Sequence, residues 1–348
     1  MSDKETRTEI NQLGEFALID RLTDPFSTLN ESTFKSIGDD AAVIRNGNKL
    51  TVVSTDLMVE GVHFDLVYVP LKHLGYKSVV VNLSDIYAMN AIPKQITFSL
   101  AVSNRFSVEA LEEIYEGILA ACKKYGVDLI GGDTTSSVEG LLISVTAIGE
   151  AEESSLVYRN GAKEGDLICV SGDLGASYLG LQLLEREKQV YLENPEIKPD
   201  LEEQDILVGK QLKPEARQDI IKQLEENKLL PTSMIDISDG LSSELMHICA
   251  QSDVGCEILE AKIPMAEESR NMAFKFQLDP TTCALSGGED YELLFTVNPD
   301  DKLKVANLPD VSIIGKVKKA SHGIKLLSKG GNIHDITSLG WDSFNNEQ

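Results

Sequence analysis

Basic residues are scarce in this chain. Lys and Arg number 32 against 56 Asp and Glu, a formal net charge of −24 over 348 residues. So acidic a balance suits no nucleic-acid backbone, whose phosphates are held by Lys and Arg. Cysteine is sparse too: five residues, at 122, 169, 249, 256 and 283, with no C-x-x-C spacing. Several lie in apolar runs such as Leu167-Ile168-Cys169-Val170. They read as reduced core residues of a cytosolic chain, not as a disulfide framework or a zinc site. No apolar run approaches the roughly 20 residues of a membrane helix, and the opening MSDKETRTEINQ is too polar for a secretory signal. The expected compartment is the cytoplasm, with no membrane and no nucleic acid as partner. The familiar nucleotide motifs are missing as well: there is no G-x-x-x-x-G-K-[ST], no strand-linked G-x-G-x-x-G, and no H-R-D or D-F-G. The five His are scattered, and no Ser or Cys nucleophile has an evident His partner. Any phosphate bound here must be held through metals and backbone, a route an acidic chain leaves open because cations bridge carboxylates to phosphates.

What is present is a globular mixture, 42% hydrophobic and 25% charged, enough for a sizeable core. The length sets a prior of about two domains. Helical and strand patterns alternate. Ile10, Leu13, Ala17 and Leu22 fit a short amphipathic helix. Residues 49–56 read as a strand and 71–91 as a helical region. Ile96, Phe98, Leu100 and Val102 alternate with small and polar residues, the clearest strand in the chain. Val108, Leu111, Ile114 or Tyr115, Ile118 and Cys122 recur at helical spacing behind Ser107, a suitable N-cap. VDLIGGD and LLISVTAIGEA read as two further strands. A polar stretch at 152–155 and the turn RNGAKEGD mark a boundary, so residues 1–150 and 151–348 are the expected domains. The second restarts with the strand DLICVSGD and a helix through Leu184. The Pro-containing, acidic stretch from Glu193 to Asp205 reads as an exposed loop, and helix, strand, helix and strand follow. The expected class is α/β (α+β) in two domains.

Aspartate is placed with a pattern. Asp39 and Asp40 in IGDDAAV, Thr55 and Asp56 in STD, Asp85 in NLSD, Asp133 in IGGDTT, Asp236 and Asp239 in IDISDG, and Glu289 and Asp290 in SGGEDYEL all stand beside small residues near element ends. Each alone reads as a cap or turn, since Asp and Ser oxygens reach nearby backbone N–H groups; Asp85 and Asp239 would then cap the helices that follow them. Together they suggest more. Strand ends are where α/β proteins gather ligand groups, and converging carboxylates repel one another unless cations intervene. Hard oxygen ligands suit Mg²⁺, which bridges to phosphates.

In this order the motifs resemble the thiamine-monophosphate kinases. The resemblance rests on Gly14-Glu15-Phe16, GDDAAV, STDLMVEGVHF, VNLSDIYAMNA, IGGDTT, RNGAKEGD, IDISDGL, SGGEDYEL and a late Gly340-Trp341, nearly the whole chain. Related families on the same fold are the aminoimidazole ribonucleotide synthetases, the selenophosphate synthetases and a hydrogenase maturation factor. The factor ends in a reactive Cys where this chain reads NNEQ. The resemblance implies a two-domain aminoimidazole ribonucleotide synthetase-like fold, its N-terminal ATP- and metal-binding domain forming a barrel across a homodimer. It implies ATP as co-substrate, several Mg²⁺ ions, and direct phosphoryl transfer to thiamine monophosphate, the last step of thiamine diphosphate biosynthesis. By position, Asp40, Ser54, Thr55, Asp56, Asp85, Asp133, Asp236 and Asp239 correspond to metal ligands, with Asp39 the secondary member of its pair. Tyr115, Gly132, Asp133, Arg159 and Ser238 correspond to nucleotide contacts, and His63, Glu289 and Trp341 to acceptor contacts. None is a general base.

Plainer readings stand beside these. Tyr115 lies on an apolar helical face, Arg159 suits a surface ion pair, His63 a polar strand and Trp341 a cover for apolar surface. Two positions depart from the family pattern: Gln211-Leu212-Lys213-Pro214 where His-Leu-x-Pro is common, and Asn90 where Gly is common. The rival functions are another phosphoryl enzyme on the same fold and a non-catalytic metal- or nucleotide-sensing dimer.

Overall fold

A computed structural model describes residues 15–25, 28–197, 199, 201 and 204–337. The first half holds helices α1 (Glu15–Thr23), α2 (Leu71–Ala88) and α3 (Val108–Tyr125). Its strands are β1 (Thr33–Lys35), β2 (Ala42–Asn46), β3 (Lys49–Val59), β4 (Ile92–Val102), β5 (Asp128–Gly131), β6 (Thr134–Ser136) and β7 (Leu141–Ala151). They form one sheet in the order β1-β2-β3-β7-β4-β5, with β6 also on β4. Pairing is antiparallel except where β5 and β6 run parallel to β4.

The second half carries strands β8 (Leu167–Ser171), β9 (Ser233–Asp236), β10 (Val254–Leu259), β11 (Leu293–Val297), β12 (Val311–Lys319), β13 (Ile324–Leu327) and β14 (Ile333–Asp335). These order as β14-β13-β10-β12-β8-β11-β9. Its helices are α4 (Ala176–Glu193), α5 (Asp205–Leu212), α6 (Gln218–Glu226), α7 (Leu241–Ser252), α8 (Glu267–Lys275), α9 (Pro280–Ser286) and α10 (Lys302–Ala306). That is a denser succession than the simple helix–strand alternation expected from the sequence, because several elements are too short to show a periodicity of their own.

Side-chain parity explains the packing. In β3 the even residues Leu50, Val52 and Met58 are buried beneath the helices, while Thr55 and Leu57 on the odd face are exposed. Such one-sided burial is usual for an antiparallel sheet. The second sheet is covered on both faces. Leu167, Cys169, Met234, Leu293 and Phe295 belong to the core that includes α2, whereas Ile168, Val170, Ile235 and Leu294 belong to a second core. Strands buried on both sides read as unbroken apolar runs, which is why DLICV lacks alternation.

Helix α2 is therefore the seam. It is buried almost throughout from Leu74 to Ala88, between the first sheet and the second half. Its polar residues Lys77, Asn82, Ser84 and Asp85 interrupt an otherwise apolar surface, and each has its partner at the site.

Candidate active site at the seam

The carboxylates meet where β2, β3, α2 and β9 converge. On β3, Ser54 and Asp56 share the parity of Leu50 and Val52 and so face α2. Ser54 Oγ donates to Asp85 Oδ2, and the backbone N–H of Asp56 donates to Asn82 Oδ1 at 3.0 Å. On β9, Asp236 shares the parity of Met234 and also faces α2, where Ser84 Oγ donates to its Oδ2 at 2.5 Å. Asp40, just before β2, closes the group: carboxylate oxygens of Asp40, Asp85 and Asp236 all lie within 4.8 Å of one another.

The structure separates Asp39 from Asp40. Asp39 turns to Lys35, 3.3 Å away, and accepts the Arg159 backbone N–H at 3.1 Å. Arg159 Nη2 donates to Asp40 Oδ1 at 2.8 Å. Asp40 Oδ2 is buried and has no hydrogen-bond partner among the described residues.

Three acids so close are costly as anions. Burial pushes the Asp85 carboxyl well above its ordinary range, and Asp56, Asp236 and Asp40 add repulsion that the Ser54 hydrogen bond only partly offsets. Burial, then Asp40, pushes Asp236 up to about 7. Burial alone accounts for Asp56 at about 6. A bound cation reverses each of these penalties.

Tyr291 connects this group to the next. Burial raises its phenol, and the charges of Glu289, Asp56, Asp236 and Asp239 raise it further. The loop before β11 lies against the loop after β9. Glu289 N donates to Ser238 O at 2.7 Å and Tyr291 N to Ile237 O at 2.8 Å. Beneath them the buried Glu244 carboxylate accepts the N–H groups of Ser238 and Asp239 at 3.3 and 3.0 Å. Glu289 itself pairs with Lys77 at 2.8 Å and accepts from Gln211 Nε2 at 2.7 Å.

The expected nucleotide contacts Tyr115, Gly132 and Asp133 gather elsewhere, around Phe98. A Cβ on Gly132 would stand 1.8 Å from Phe98 O, so only glycine permits that approach. The Tyr115 ring packs edge-on to Phe98 at 5.4 Å and stays 40% exposed, which is not a core placement. Asp56 pairs with Val145 and Val145 with Phe98, so Gly132 lies three strands from Asp56, about 14 Å at normal strand spacing. Asp133 is exposed there and is not brought to the Asp40–Asp85–Asp236 group.

Other expectations are corrected. Asp85 is not a helix cap: α2 begins at Leu71, and Asp85 stands in its last turn. Asp239 does not cap α7, whose N-cap is Gly240 without a side-chain bond. The Thr55 hydroxyl points to the opposite face of β3, donating to Val145 O at 3.0 Å, so its side chain takes no part in the cluster. His63 closes the turn after β3, its Nδ1 accepting the Val59 N–H at 3.0 Å, which leaves Nε2 as the protonated nitrogen of the neutral ring. Trp341 lies outside the described residues. Sequence reasoning missed Lys77, Asn82, Ser84 and Glu244, and met Gln211 only as a departure from the family pattern. The available signal was the presence of polar residues inside helices that are otherwise apolar.

Comparison with known proteins gives a consistent result. Residues 38–151 match the family described as "AIR synthase related protein, N-terminal domain" and residues 163–326 match "AIR synthase related protein, C-terminal domain". The thiamine-monophosphate kinase of Aquifex aeolicus (strain VF5) is 36% identical over 310 residues, covering 89% of this chain and 93% of its own. That of Bacillus subtilis (strain 168) is 37% identical over 290 residues, covering 83% and 85%. Among solved structures, "AaThiL complexed with AMPPCP and TMP" superposes with a TM-score of 0.82 at 33% identity over 97% of this chain and 99% of that one. Hydrogenase maturation protein HypE in complex with ATP, at 19% identity and a TM-score of 0.66 over 84% of this chain and 85% of that one, shares the fold.

Proposed function

The chain belongs to the thiamine-monophosphate kinase family of the AIR synthase related proteins, and from that premise we propose how its residues carry out the reaction. It phosphorylates thiamine monophosphate with ATP, giving thiamine diphosphate and ADP. The observation that carries our reading is Asp85. It is a carboxyl group in the last turn of a helix, where the dipole disfavours negative charge, within 4.8 Å of two more carboxylates. Nothing in ordinary packing calls for that arrangement.

The donor set fits Mg²⁺. Its oxygens are hard carboxylate oxygens, Ser54 adds a hydroxyl, and Asp40 Oδ2 has no hydrogen-bond partner among the described residues. Asp40, Asp56, Asp85 and Asp236 are the residues that would hold it, and bound there it supplies neutralisation of two phosphates that otherwise repel. The chain's own part is positional. Arg159 and Ser84 orient Asp40 and Asp236, while Glu244 shapes the turn Ser238–Asp239 that follows β9. Tyr115, Gly132 and Asp133 along the Phe98 row suit the far end of an elongated nucleotide. Glu289 and His63 suit the acceptor. A second phosphate pKa near 6 leaves the acceptor already ionised at neutral pH, so no general base is needed and transfer is direct. Positioning and electrostatics carry the rate.

Residues 1–150 then form the ATP-, metal- and dimer-binding domain and residues 151–348 the second. A homodimer closed into a barrel across the first sheet is supported by what that sheet leaves uncovered: Leu57 on its outer face and Leu129 and Ile130 on edge strand β5 are 54, 42 and 58% exposed. Exposed apolar edges invite pairing. The five cysteines, all free and buried, support a reducing, cytoplasmic setting.

The test is Asp85→Asn. Asparagine keeps the shape and one oxygen but loses the charge. We expect a folded protein with kcat lowered at least about 100-fold, the scale of removing one preorganised electrostatic group, and a raised Mg²⁺ requirement. Full activity at low millimolar Mg²⁺ would exclude Asp85 as a ligand.

A further inference from the structure

Gln211 lies on α5, outside the aspartate group, yet it is buried, as are Lys77, Ser177 and Asp290. Its amide is fixed at both ends. Nε2 donates to Glu289 Oε2 at 2.7 Å, and Oε1 accepts from Ser177 Oγ at 2.5 Å. An amide has one donor end and one acceptor end, so a carboxylate on one side and a hydroxyl on the other leave a single orientation. Its backbone carbonyl accepts from Lys77 Nζ at 3.0 Å, and the same ammonium pairs with Glu289 Oε1 at 2.8 Å. Both oxygens of Glu289 are thus held, one by α2 and one by α5. The backbone is held as well: Glu289 has a left-handed φ of 63°, and Asp290 accepts from Gly175 N at 2.8 Å at the start of α4. Helices α4 and α5 meet without slack, since a Cβ on Gly180 would lie 2.2 Å from Leu207 O.

None of Gln211's hydrogen bonds among the described residues goes to the aspartates. Its side chain acts on Glu289. A fully paired buried network of this kind rigidifies what it holds, and charge-assisted bonds are its stronger members.

We propose that Gln211 is a positioning residue for the acceptor: with Lys77 it fixes the Glu289 carboxylate in the orientation that meets the thiamine moiety, and so sets acceptor affinity without acting on the nucleotide end. This rests on the reading of Glu289 as an acceptor contact.

The test is steady-state kinetics on the full chain with both substrates varied. Gln211→Leu removes the donor to Glu289 and should raise the KM for thiamine monophosphate about tenfold, with the KM for ATP and kcat within about twofold. Gln211→His should stay near wild type, because an imidazole also offers one donor and one acceptor. In a Glu289→Ala background Gln211→Leu should add nothing, since the residue acts through Glu289. If Gln211→Leu fails to fold, Ser177→Ala, which frees the amide to turn, should raise the same KM alone. An unchanged acceptor KM in Gln211→Leu, when Glu289→Ala raises it, overturns the proposal. Equal losses in both KM values and kcat, with a lower Tm, assign Gln211 a general structural role and overturn it too. An unchanged acceptor KM in Glu289→Ala instead removes the underlying reading of Glu289.

Discussion

At the scale of single residues the aspartates set a balance between folding and binding. Asp56 and Asp236 titrate near 6 and 7 in the folded chain, against about 4 for an unperturbed carboxyl. The folded state therefore holds protons more tightly than the unfolded state across that window, and stability must fall as pH rises. In chelator, thermal melts should already be declining at pH 5, go on falling through pH 6 and 7, and level off near pH 8. Added Mg²⁺ should flatten the decline, because a cation replaces the protons. Asp85→Asn should melt a few degrees higher than wild type in chelator at pH 8, since one repelling charge is gone while an acceptor for Ser54 remains. A wild-type melt that is level over pH 5 to 8 in chelator would show that these carboxylates do not repel in the folded chain. At this scale the sequence was informative about residue type and poor about direction. Asp40 and Asp39 are adjacent and identical in chemistry, and only the placement of Arg159 and Lys35 separates them. Ser54-Thr55-Asp56 shows the same limit, because strand parity sends the side chain of its middle member to the other face.

At the scale of elements α2 is the strut. Lys77 ties it to Glu289 and Ser84 ties it to Asp236, seven residues apart and so about 10 Å along the axis. That spacing sets the distance between the acceptor end and the metal end of the site. The strut is seated on α3 by two glycines: a Cβ on Gly75 would lie 2.0 Å from Ile114 O and one on Gly117 2.0 Å from Lys72 O. Gly75→Ala must push the helices apart. The expected cost is about 1–3 kcal/mol, the range for overpacking a core, read as a lower urea midpoint, together with a fall in kcat as Asp85 moves. A stable, fully active Gly75→Ala variant would show that α2 need not be held there. The extent of α3 was legible because its ends are local: Ser107 accepts from Ala110 N at 3.2 Å and Gly126 turns left-handed at φ 68°. Asn90, a departure from the family pattern, has φ 53°, a conformation Asn tolerates better than most residues. The bridges from α2 were not legible, since their partners lie 152 and 212 positions away.

At the scale of the molecule, one chain leaves Tyr115, Gly132, Asp133 and edge strand β5 open to solvent. Light scattering at micromolar concentration should give twice the 38.1 kDa of one chain, and a mass of one chain would contradict the barrel. An α/β chain in two domains and a gathering of acids could be anticipated from alternating patterns and from Asp beside small residues. The gathering of Tyr115, Gly132 and Asp133 about 14 Å along the sheet could not, because strand order is set by non-local pairing that no short motif records. The reaction proposed for this chain is direct transfer from ATP to thiamine monophosphate. It is tested by incubating the protein with γ-labelled ATP, Mg²⁺ and thiamine monophosphate and identifying the products. Direct transfer predicts ADP and labelled thiamine diphosphate in equal amounts, with no free labelled phosphate. Labelled phosphate released without thiamine diphosphate would contradict it.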